Sequence, residues 1–139
     1  MRYLIDTNIF VYMATDGDLL CNDVAAILQD YENTLYISTE SVKELILAYK
    51  NKGLCNKRWK TAKDMLNSIE NDFNIKISHI KKEHLITYAN LQVNGDIHKD
   101  PSDHLIIAHS ITEKMPLISS DRRFPYYTSQ GLDLIFNER

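Results

Sequence analysis

Tyr3-Leu4-Ile5-Asp6-Thr7-Asn8 decides how the rest of the chain is read. Three apolar residues, too few for a helix, end at an acid and two further side chains that accept hydrogen bonds from free helix amides. The run reads as a short buried strand that stops where a helix begins. Four runs of the same kind follow: Leu35 to Ile37, Ile75 to Ile77, Leu117 to Ile118 and Leu134 to Phe136. Between them Val24, Ile27, Leu28 and Tyr31 recur at helical spacing, and Val42, Leu45, Ile46 and Tyr49 repeat the pattern. Trp59, Ala62, Leu66 and Ile69 stripe a further helix, as Leu85, Ala89 and Val93 do a later one. A last long helix begins near Pro101 and is nearly apolar from Leu105 to Ala108, which predicts burial on more than one side. Strands alternating with helices imply an α/β fold: a parallel sheet of about five short strands, covered by helices on both faces.

The 139 residues suit one domain, 1–139, and no repeat, low-complexity tract or long linker divides them. Cys21 and Cys55 stand far apart without metal spacing, so they read as core or surface thiols rather than as a disulfide framework. The opening MRYLIDTN has neither a signal-peptide nor a membrane-span pattern, and a cytoplasmic protein is expected. A net charge of -3 argues against binding nucleic acid by bulk positive potential. The charge is unevenly spread, however. Lys43, Lys50, Lys52, Lys57, Arg58, Lys60 and Lys63 face a single acid, Glu44, within 43–63, with Trp59 among them. This segment reads either as a solvated helical face or as a phosphate-tracking surface with a stacking aromatic.

In open α/β sheets ligands bind beyond the carboxyl ends of the strands. Asp6 follows the first apolar run, Asp121 follows Leu117 to Ser120, and Glu44 lies one to two helical turns beyond the second strand. Asp103, in Asp100-Pro101-Ser102-Asp103, sits in a first helical turn, with Asp100 as the cap and Pro101 at the first helical position. Each acid has a plainer reading: Asp6 as a helix cap, Asp121 as a loop acid paired with Arg122 or Arg123, Glu44 as a solvated glutamate. Glu44 falls off the apolar stripe of its helix, and small Ser41 and Ala48 flank it one turn either side, where a substrate backbone could approach.

Together the four acids suggest a site. Like charges about 4 Å apart repel by roughly 4 kcal/mol at an effective dielectric near 20, so a cluster requires neutralisation. Oxygen-only ligands suit Mg2+ or Mn2+ rather than zinc, and such ions meet phosphate oxygens. Histidines 79, 84, 98, 104 and 109 show no zinc spacing, and His98 reads as structural. Two other classes compete with a nuclease. One is a non-catalytic RNA- or protein-binding module, against which the presence of all four acids argues. The other is an aspartate-nucleophile phosphatase, for which Asn8 lacks the required second carboxylate.

The whole chain resembles a PIN domain and, within that group, the toxin nucleases called VapC. The likeness rests on Leu4-Ile5-Asp6-Thr7-Asn8, Ser41-Val42-Lys43-Glu44-Leu45 and His98-Lys99-Asp100-Pro101-Ser102-Asp103-His104-Leu105-Ile106-Ile107-Ala108. Pro116-Leu117-Ile118-Ser119-Ser120-Asp121-Arg122-Arg123-Phe124 and Gly131-Leu132-Asp133-Leu134-Ile135 complete it. The resemblance implies that Asp6, Glu44, Asp103 and Asp121 form the Mg2+ or Mn2+ site of an endoribonuclease that cuts single-stranded RNA. Asn8 and Ser119 would support the first and fourth acids. It further implies a homodimer and a small antitoxin partner, while Lys57, Arg58 and Lys60 are the candidate RNA contacts. Ser102 and His104 stand where the family often has Phe and Arg, which puts in question any phosphate contact by that arginine.

Overall fold

A computed structural model describes all residues, Met1 to Arg139. All five apolar runs become strands: β1 (Arg2–Ile5), β2 (Thr34–Ser38), β3 (Ile75–Ser78), β4 (Leu117–Ser119) and β5 (Leu134–Phe136). Six α-helices connect them: α1 (Thr7–Thr15), α2 (Asn22–Gln29), α3 (Thr39–Lys50), α4 (Ala62–Asn71), α5 (Lys82–Asn90) and α6 (Pro101–Glu113). Short 3-10 helices follow α1 and β4. Every strand pair is parallel, in the order β3-β2-β1-β4-β5.

Successive strand residues point to opposite faces, so one apolar run feeds two cores. Tyr3, Ile5, Leu35, Ile37 and Ile118 pack with Ile9 and Phe10 of α1, Val24 of α2, Val42 and Leu45 of α3, and Met65 and Ile69 of α4. Leu4 and Leu117 turn the other way, against Ile106 and Ile107 of α6 together with Phe124 and Tyr127. Continuously apolar strands are what a sheet covered on both faces requires.

The strand order fixes where a ligand can bind. From β1 the chain moves outward through β2 to β3, then returns to the other side of β1 for β4 and β5. The switch point therefore lies between β1 and β4, where the connections diverge and open a crevice at the carboxyl ends. Asp6 leaves β1 at this point, Ser119 ends β4, and Ser120 and Asp121 leave it.

Three helix readings change in the structure. Tyr31 lies beyond the end of α2 and is fully exposed. Trp59 precedes α4 rather than striping it: it is 7% exposed and stacks on Phe10 with ring centroids 6.4 Å apart. It is thus mainly a core side chain that shows only an edge to the groove beside it. In α5 Leu85 is half exposed and Val93 lies past the helix end, while the buried residue is His84. The segment 43–63 is no single helical face either, since residues 51–61 leave the helix between α3 and α4.

Candidate active site

Asp6 begins the site because β1 ends there. Its extended backbone makes it the cap of α1, and its Oδ1 accepts from the Thr7 amide at 2.8 Å. The Ser119 hydroxyl donates to the other oxygen at 2.6 Å and accepts from the Asp121 amide at 3.0 Å, so one side chain ties β1 to the loop after β4. Asn8 does the same from α1, accepting from the Ser120 amide at 3.3 Å. Capping and site membership are compatible here, because the cap uses one carboxylate oxygen.

The remaining acids converge from three other elements. Glu44 reaches in from α3, where the Thr7 hydroxyl donates to it at 2.7 Å. Asp103 projects from the first turn of α6, whose cap Asp100 accepts from the Ser102 amide at 3.0 Å, with Pro101 at the first helical position. Carboxylate oxygens of Glu44, Asp100 and Asp103 lie within 4.8 Å of one another, as do ligand atoms of His98, Asp103 and Asp121. Asp6, Asp103 and Asp121, with Thr7, Asn8, Val11 and Tyr12, line a cleft of about 290 Å3. The four expected acids therefore meet at the switch point, and Asp100 joins them as well as capping α6.

Electrostatics make this cluster costly when it stands alone. Burial, with the charges of Asp103 and Glu44 adding to it, pushes the Asp6 carboxyl up to about 7 despite the Ser119 and Thr7 hydrogen bonds. Burial also drives Asp103 up to about 7, helped by Asp100, Glu44 and Asp121. Glu44 is raised too, mainly by burial. Asp121 goes the other way: burial would raise it, but hydrogen bonds from Arg123 outweigh that and leave it below the usual carboxylate range. Between the two arginines, the structure pairs Asp121 with Arg123, which donates from Nε at 2.9 Å and from Nη2 at 2.7 Å. Arg122 lies 3.9 Å from Glu138 instead. Arg123 stands 3.7 Å from Asp103 as well, yet nothing comparable reaches Asp6 or Glu44. Crowded, oxygen-rich and short of positive charge, the donor set fits a hard divalent cation.

Several site residues escaped the sequence reading. Thr7 looked like a capping alternative to Asp6, but its hydroxyl serves Glu44. His98, read as structural, sits 3.0 Å from Asp103. Tyr127 follows it from the 3-10 helix after β4, and no spacing in the sequence connects the three. Ser41 does not leave room for a substrate: it is buried, and its hydroxyl has no hydrogen-bond partner. His104 does not replace an arginine in the cleft, because its Nε2 turns back onto the His98 carbonyl at 3.1 Å. Lys57, Arg58 and Lys60 are all exposed on the loop between α3 and α4. Lys57 joins Lys50, Lys52, Leu54 and Trp59 around a separate groove of about 650 Å3 that contains none of the acids.

Comparison with known proteins agrees with the architecture. The family model described as PIN domain matches residues 3–128. No curated protein matches the sequence. Among solved structures, VapBC2 from Rickettsia felis bound to a DNA fragment from its promoter is similar with TM-score 0.73 at 20% identity, covering 99% of this chain and 100% of that one. DNA-bound VapBC from Salmonella typhimurium gives TM-score 0.71 at 13% identity, with 98% of each chain covered. FitAcB from Neisseria gonorrhoeae gives 0.62 at 20% identity, covering 99% of this chain and 97% of that one.

Proposed function

We propose that this chain, which belongs to the PIN domain family, is a divalent-metal-dependent endoribonuclease that cuts single-stranded RNA and serves as the toxin of a toxin-antitoxin pair. The observation that carries the reading is the convergence of Asp6, Glu44, Asp103 and Asp121 at the switch point, with the Asp6 and Asp103 carboxyls driven to about 7.

In this reading the four acids hold Mg2+ or Mn2+. When bound, the ion supplies a water of lowered pKa and positive charge against the phosphoryl oxygens. The protein's part is orientation. Ser119 and the Thr7 amide fix Asp6, the Thr7 hydroxyl fixes Glu44, and Asn8 pins the loop that carries Asp121. Arg123, half exposed and already beside two of the acids, is placed to follow a phosphate as it enters. Lys57, Arg58 and Lys60 are assigned to RNA phosphates away from the reacting bond.

The partners follow the same reasoning. The similar structures from Rickettsia felis and Salmonella typhimurium are VapBC assemblies, which supports a small antitoxin as partner. Exposed Leu47 on α3 and Leu85 and Ile86 on α5 are apolar side chains that an antitoxin or a second copy would cover, and a homodimer is assigned. The unit is taken as one domain, 1–139, acting in the cytoplasm; no helix is long and apolar enough to cross a membrane.

Purified protein is expected to cleave single-stranded RNA with Mg2+ or Mn2+ and to stop when chelator is added, with activity returning on readdition of either ion. A gel-based time course checks this. Undiminished cleavage in EDTA, or restoration by zinc alone, would sink the metal assignment.

A further inference from the structure

His98 is 0% exposed, although it lies only five residues before an acid that lines the cleft. Both of its ring nitrogens are engaged. Nε2 lies 3.0 Å from Asp103 Oδ2, and Nδ1 lies 3.1 Å from the Tyr127 hydroxyl. The ring is also boxed in by His104, Phe124 and Tyr127, with centroids 4.6, 5.7 and 5.6 Å away. Through its own Nε2, His104 holds the His98 carbonyl, so the backbone carrying the ring is fixed as well.

The donor pattern along this chain has one consistent solution when Asp103 is a carboxylate ligand. A carboxylate only accepts, so His98 Nε2 carries the proton and donates it. Nδ1 is then a lone pair, and the Tyr127 hydroxyl donates to it. The hydroxyl thereby selects the tautomer that faces Asp103. Oδ2 of Asp103 is taken up in this way, whereas Oδ1 accepts no hydrogen bond from the protein.

We propose that His98 is a positioning residue for the metal centre: held by Tyr127, it locks the Asp103 carboxylate so that its free oxygen serves the cation. The inference rests on the metal-dependent nuclease reading and assigns within it a residue that makes no contact with ion or substrate. Partners of ligands in the next layer out usually matter by 10- to 100-fold in metal affinity or activity.

The experiment measures Mn2+ binding at pH 8 by calorimetry or by the EPR signal of the free ion, beside single-turnover RNA cleavage. The variants are His98→Leu, His98→Gln and Tyr127→Phe, each first shown to be folded by circular dichroism. His98→Leu should weaken Mn2+ binding roughly 10- to 100-fold. His98→Gln keeps an N–H donor at similar reach and should stay within about threefold of wild type. Tyr127→Phe keeps the ring in the core but frees the tautomer, and should weaken binding by about threefold or more. Cleavage should fall in parallel.

Wild-type Mn2+ affinity in both His98→Leu and Tyr127→Phe would overturn the proposal, as would a Gln variant as weak as the Leu variant. If His98→Leu does not fold, Tyr127→Phe decides alone: loss of affinity supports the proposal, and wild-type affinity overturns it. Wild-type protein that binds no Mn2+ and cleaves no RNA would overturn the nuclease reading itself, a result distinct from variants that match an active wild type.

Discussion

Asp6→Asn is expected to raise the melting temperature of the metal-free protein by roughly 6 to 12 °C at pH 8, and to cut RNA cleavage by about a hundredfold or more. The stabilising half follows from the cluster. Burial holds the Asp6 carboxyl at about 7, far above its ordinary value near 3.8. The folded protein therefore binds a proton that the unfolded chain releases, and stability falls as pH rises from about 4 through about 7. Above that range the ionised group costs on the order of 2 to 4 kcal/mol. Asparagine removes the charge and keeps the Thr7 contact, because its oxygen can still accept from that amide, while its NH2 group reverses the Ser119 bond and makes that hydroxyl an acceptor.

The pH dependence makes this result specific. The advantage of Asp6→Asn over wild type should vanish near pH 4 to 5 and be complete above about pH 7 to 8. Titrating groups away from the cluster, such as buried His109 with its pKa lowered to about 4, act on both proteins alike and cancel in the difference, whereas Asp103 and Glu44, whose charges act on Asp6, are relieved with it and belong to the same effect. Saturating Mg2+ should close the gap from the other side by stabilising wild type more than the variant. Thermal melts in EDTA at several pH values, repeated with Mg2+, check the whole pattern. An advantage equal at pH 5 and pH 8 would mean that the Asp6 charge is not what the variant relieves.

How much of this was legible in the sequence depended on whether the signal was local. Strand positions were readable because a run such as Leu4-Ile5 must be apolar on both faces of a covered sheet. Asp6 was readable because it directly follows such a run, and Asp121 because it follows Leu117 to Ser120, two serines past the next one. Asp100-Pro101-Ser102-Asp103 carried its own helix start. The errors arose where a distant partner changed the meaning of a residue. His84 is buried because its Nδ1 accepts from the Lys81 amide at 2.8 Å and its Nε2 meets Glu113 at 2.7 Å, so a satisfied polar ring fills the place where an apolar stripe was expected. Trp59, placed on an apolar helix stripe and, as one of two alternatives for its basic segment, as a stacking aromatic, is held inside by Phe10, 49 positions away in sequence. His98 and Tyr127 are 29 residues apart and share no periodicity. Apolar patterning reports which face is inside, but it cannot report which polar side chains the fold will satisfy there.

Two variants should separate catalysis from binding. Changing Lys57, Arg58 and Lys60 together to Gln should weaken RNA binding by roughly a hundredfold near 0.1 M salt, and flatten the slope of log affinity against log salt by about 2. That expectation follows if each side chain neutralises one phosphate, and all three are exposed and able to do so. Under saturating RNA, cleavage by this triple variant should approach the wild-type rate, since none of the three lines the acidic cleft. Asp121→Asn should do the reverse. It removes a negative charge and loosens the two hydrogen bonds that hold Arg123, so RNA binding stays equal or tightens while cleavage stops. A module that binds RNA without cutting it gives no such split. Binding isotherms at several salt concentrations, run beside single-turnover cleavage, read both arms at once. Cleavage at the wild-type rate by Asp121→Asn would remove that acid from the site, and an unchanged salt slope in the triple variant would move the RNA path off the loop between α3 and α4.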